Sequence, residues 1–202
     1  GSIRRATTRL EDCVGVRPKG FSAPNFSVNG ATIRALEACN YDYDTSVLPG
    51  RRVLRRRLVK VLDFRNAPCD PYRPDLEDPA VLGESRIVEV PETENPEMSG
   101  GPIGLGFINM FGAARALEAV NRARGDFCVL LVHPWELVEP PSLKAPRWMR
   151  TACTPDASRL DDFLSVLRGQ HELTTFAEAL RGLEASSALS RPSASAQAMS
   201  RS

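Results

Sequence analysis

A chain of 202 residues with 42% hydrophobic content can bury one sizeable core and does not require two. Its 26 basic and 25 acidic residues leave a formal charge of +1, which removes any whole-chain electrostatic case for nucleic acid or an acidic membrane surface and favours a neutral or zwitterionic partner. No apolar run approaches the ~20 residues of a membrane span, so no membrane insertion is expected, and GSIRRATTRL lacks the apolar stretch and cleavage site of a secretory signal.

Apolar or small side chains at Ile3, Ala6, Leu10 and Cys13, with charges between them, predict an amphipathic helix over 3–13 that stops at Val14-Gly15. Pro18 and Pro24 exclude a helix interior, so 16–24 reads as extended. After the break at Asn29-Gly30, helical spacing returns over 31–39 through Ile33, Leu36 and Ala38. Residues 41–48 are again extended and close at Pro49-Gly50.

Residues 51–60 carry six basic side chains, Arg51, Arg52, Arg55, Arg56, Arg57 and Lys60. A polyanion or protein-interaction site is one reading. A solvated face is favoured, because acidic residues follow from Asp63 onward and no aromatic interleaving supports base stacking. Four prolines make 66–79 an irregular loop, 85–91 alternates as a strand, and the Gly-rich 96–106 reads as turns without the dinucleotide glycine order.

Residues 110–124 carry the clearest helical stripe, Ala113, Ala116, Leu117 and Val120. The continuous apolar run 127–132 then predicts a strand buried on both faces. A helix over 156–169, a short strand over 172–176 and a helix over 177–183 follow, and from 184 the Ser/Ala-rich composition predicts a disordered tail. Cys13, Cys39, Cys69, Cys128 and Cys153 are odd in number and scattered; they read as reduced thiols, Cys128 as buried and inert, which favours a cytoplasmic location.

Chemistry concentrates at the end of the apolar run. On a period of two, Val129, Leu131 and His133 share a face, so the strand delivers one imidazole at its C-terminal end, with Trp135 and Glu136 beside it. Such a histidine is either a satisfied structural residue or a general acid/base. Tyr43-Asp44-Thr45-Ser46 ends another strand with a carboxylate and two hydroxyls, able to bind sugar hydroxyls or to cap a turn. His133 and His171 are the two histidines, too few to read as a three-ligand zinc site without further donors.

In order, Gly20-Phe21-Ser22-Ala23-Pro24, Tyr41-Asp42-Tyr43-Asp44-Thr45-Ser46-Val47-Leu48-Pro49, Glu89-Val90-Pro91 and Leu131-Val132-His133-Pro134-Trp135-Glu136 resemble the later motifs of the NodB-homology polysaccharide deacetylases. The resemblance covers roughly residues 3–180. It implies an α/β fold, an incomplete, distorted (β/α) barrel occupying 1–183, and metal-dependent removal of N-acetyl groups from an amino-sugar polysaccharide or oligosaccharide. In such enzymes a divalent metal, commonly zinc, polarises the acetamide carbonyl, an aspartate is the base, and the strand-end histidine protonates the leaving amine. His133 would be that acid; Leu131 would line the acetyl pocket, and Trp135, Tyr43, Asp44 and Pro24 would form the glycan cleft. Ser22 stands where the family has an arginine. The family's Asp-Asp pair and His-x-x-x-His have no counterpart in these residues, so they are expected upstream of Ile3, and no metal site is expected from this chain alone. The alternative is a glycan-binding or scaffold protein that keeps the cleft without the chemistry.

Overall fold

The computed structural model describes residues 1–55, 59–139, 146, 150, 152–185 and 189. Helix α1 (Ser2–Val14) ends at Gly15, whose φ of 74° is the left-handed cap that glycine adopts without strain. Strand β1 (Gly20–Phe21) passes through a 3-10 turn (Pro24–Phe26) into α2 (Gly30–Ala38). The Asn29 side chain caps α2 by accepting the Thr32 N–H. Ile33 and Leu36, both fully buried, pack α2 onto the sheet, and burial of each contributes about 1.5–3 kcal/mol.

β2 (Tyr43–Asp44) then returns parallel to β1, completing a βαβ unit. A hairpin of β3 (Arg52–Arg55) and β4 (Val59–Asp63) intervenes before β5 (Val88–Glu89) docks parallel to β2, giving the order β1-β2-β5. The basic stretch expected over 51–60 thus falls largely on this hairpin; residues 56–58 lie outside the described residues. The proline-rich loop does not stay at the surface: Tyr72 bridges to Glu89 and is buried.

The two faces of the parallel sheet meet different partners. Val47 and Ile87 join α2 and the hairpin in one core, whereas Tyr43, Val88 and Val90 pack with Phe176 and Leu180 in another. A third core holds α3 (Leu105–Phe111), α4 (Ala113–Asn121) and α5 (Ser158–Arg168) around fully buried Phe163.

Three local expectations change. The helix expected over 110–124 is two helices, because Gly112 (φ 86°, ψ 167°) breaks the ladder, and α3 begins inside the Gly-rich stretch. The strand expected over 172–176 is instead the lead into α6 (Phe176–Ala185), set by a reciprocal cap: Glu178 N–H donates to Thr175 Oγ1 (3.3 Å) and Thr175 N–H to Glu178 Oε2 (3.1 Å). The run 127–132 is extended but not buried on both faces. Among the described residues its one bridge joins Leu131 to Gly104, and Cys128 and Val132 are exposed. Helix α6 passes the expected boundary at 183, and the tail beyond 185, except Leu189, lies outside the described residues. Among the described residues no helix is long and apolar enough to cross a membrane.

Candidate functional site

His133 follows an anchored residue. Leu131 donates its N–H to the Ile103 carbonyl (3.1 Å) and accepts from Leu105 N–H (3.0 Å), so the extended segment is fixed two positions earlier. Pro134 then starts a 3-10 turn (Pro134–Leu137), as a proline with a preset φ does well. His133 is half-buried, and its ring lies against Trp135, centroids 5.4 Å apart and planes 27° from parallel. Trp135 is 40% exposed, a broad apolar face of the kind that takes the CH side of a sugar ring. Glu136 is buried, with one carboxylate oxygen accepting the His133 N–H at 2.8 Å. Burial pushes the Glu136 carboxyl up, against N–H donors and the nearby His133 ring, which pull it down.

Asp44 stands elsewhere, fully buried at the end of β2, where its carboxyl meets Ser46 and Glu89 rather than solvent. Ser46 Oγ donates to Asp44 Oδ1 (2.5 Å) while accepting the Ala23 N–H (2.8 Å), which brings the Gly20 to Pro24 phrase against the Tyr43-Asp44 phrase. Glu89 Oε1 takes the N–H groups of Ser46 (3.0 Å) and Val47 (2.8 Å). Desolvation raises both acids: Asp44 to about 6, and Glu89 well above the usual range, with the Asp44 charge adding to its shift. Each carboxyl keeps one buried oxygen, Asp44 Oδ2 and Glu89 Oε2, without a hydrogen-bond partner, which opposes ionisation of both. Glu92, also buried, accepts from Thr45 Oγ1 (3.5 Å) and is pushed up to about 7, again by desolvation.

The remaining expected positions separate. Pro24 is exposed at the start of its 3-10 turn. Tyr43 stacks on Phe176 (5.1 Å), and its hydroxyl is raised by desolvation and by Asp42. Among the described residues no hydrogen bond, ion pair or ring contact joins His133 to Asp44, Tyr43 or Pro24. Two open recesses lie elsewhere, one by Lys19, Asp42 and Arg86, the other between α1 and α2; His133 lines neither. Among the described residues no three of His, Cys, Asp or Glu converge to hold an ion, so these side chains do not fit the metal that the resemblance implies. The partners of Glu89 and Glu92 are not written in the local pattern; for Glu89 the sequence signal is a lone carboxylate inside the apolar run Ile87-Val88-Glu89-Val90, costly unless partnered.

Comparison with protein-family models, with curated proteins and with solved structures finds no match for this chain.

Proposed function

We propose that this chain supplies the leaving-group side of a carbohydrate N-deacetylase of the NodB-homology type, a distorted (β/α) barrel working in the cytoplasm on an N-acetylated oligosaccharide or polysaccharide. The observation that carries the reading is the half-exposed His133, stacked on exposed Trp135 at the end of a pinned extended segment. In this reading water adds to the acetamide carbonyl, the C–N bond breaks with its electron pair on nitrogen, and His133 gives that nitrogen a proton as acetate departs. Leu131 lines the acetyl side and Trp135 stacks on the sugar. Asp44 acts from inside by holding Ser46. A divalent metal supplies carbonyl polarisation in that family; no step here is derived through it.

Acetate release from N-acetylated chito-oligosaccharide, measured with and without chelator on a chain extended upstream through an Asp-Asp and a His-x-x-x-His, tests the reading. His133→Ala should lower kcat by on the order of 10²–10⁴-fold. A variant with the full wild-type rate removes His133 as the acid.

A second reading is a glycan-binding protein without hydrolysis, in which Trp135, 40% exposed, is the anchor. That reading expects oligosaccharide binding by the 202-residue chain that is lost in Trp135→Ala and unchanged in His133→Ala.

A further inference from the structure

Glu136 engages His133 from two directions. Its carboxylate accepts the His133 N–H (2.8 Å), and its own N–H donates to the His133 carbonyl (2.9 Å). Both backbone polar groups of His133 therefore end on one residue. The same carboxylate lies against α3: a Cβ placed on Gly106 would come within 2.7 Å of Glu136 Oε1, so the close approach uses the missing side chain of a glycine. The Glu136 carbonyl takes the Thr154 N–H (2.8 Å) and is approached by Asn109 Nδ2 (3.4 Å), which itself donates to the Ala152 carbonyl (2.7 Å). One buried residue thus ties the 3-10 turn to α3 and to the segment at 152–154.

We propose that Glu136 is a positioning residue that fixes the His133 imidazole against the Trp135 face. Its importance for catalysis rests on the deacetylase reading; the geometry it imposes does not. With His133 held at N–H and carbonyl, its Cα–Cβ direction is set, and from that direction the ring reaches the indole at 5.4 Å between centroids, 27° from parallel. A carboxylate does this better than an amide, because its charge strengthens the His133 N–H bond and either oxygen can accept it, whereas glutamine offers one neutral acceptor and, turned over, presents a donor to that N–H.

The test uses the 202-residue chain with carbon-13-labelled histidine. The indole should displace the His133 ring-proton signals upfield of those of His171, which lies against Asn121 and serves as the internal reference. Trp135→Ala calibrates the full loss of that displacement. Glu136→Ala should lose most of it with His171 unmoved, and Glu136→Gln should fall between. If Glu136→Ala keeps the wild-type His133 signals, the proposal is overturned. Should Glu136→Ala unfold, shown by movement of His171 as well, Glu136→Gln decides: an intermediate displacement supports positioning and a wild-type one overturns it. Unfolding of both variants makes Glu136 a folding residue, and the proposal falls. In the extended chain Glu136→Gln should lower kcat, by up to the order of 10²-fold, with little change in KM. A moved His133 signal with unchanged kcat would sink the assignment of His133 as acid while leaving the positioning intact.

Discussion

Asp44 and Glu89 are register partners on adjacent parallel strands, both fully buried, and loss of solvent raises both carboxyls. The pair is held in place by what its oxygens accept: the Ser46 hydroxyl on Asp44 and the Ser46 and Val47 N–H groups on Glu89. It therefore shapes the turn after β2 from beneath.

Asp44 is raised from 3.8 to about 6 in the folded chain. A carboxyl raised on folding contributes its stability below the unfolded value and loses it as pH rises through the folded one. Asp44→Asn keeps an acceptor for Ser46 Oγ and removes the titration. Relative to wild type, Asp44→Asn should gain up to roughly 3 kcal/mol as pH rises from about 4 to 7, because each tenfold fall in proton concentration between the unfolded and folded values costs the wild type about 1.36 kcal/mol. Urea unfolding across that range checks it; a constant gap between the two proteins would show that Asp44 titrates normally.

A Cβ on Gly20 would lie 2.1 Å from Tyr43 Cζ, and the Tyr43 ring is backed by Phe176. Gly20→Ala should cost about 1–3 kcal/mol through overpacking. In a Tyr43→Ala background the cost should largely vanish, a coupling that a double-mutant cycle in urea measures directly.

Phe163 is fully buried on α5 among α3 and α4 side chains. Phe163→Ala should destabilise by about 3–5 kcal/mol, read as a lowered denaturation midpoint. A loss under about 1 kcal/mol would mean that the three helices do not share a core.

Thr175→Ala removes the hydroxyl that accepts the Glu178 N–H at the start of α6. The expected loss is about 1 kcal/mol, accompanied by faster amide exchange in the first turn of α6, which packs on Val88 and Val90. Unchanged exchange there would remove the cap from the account.

The sequence by itself determined α1, α2 and α5, because a helix is written in side chains three and four residues apart and in the glycine or asparagine at its ends. It also determined the extended stretches around Gly20, Tyr43 and Val88 and marked His133 as the residue ending an apolar run. The break at Gly112 was not legible, since a glycine between apolar positions is compatible with a continuous stripe until packing selects a positive φ. The Thr175 to Glu178 spacing of a helix cap is present in the sequence within the stretch expected as a strand, 172–176. Only the tertiary structure decided that Asp44 and Glu89 meet, that Glu136 turns inward onto His133 and Gly106, and that the run before His133 is half open. These facts depend on strand register and on which segments pack against which, and such contacts link residues too far apart in the chain for any local pattern to encode.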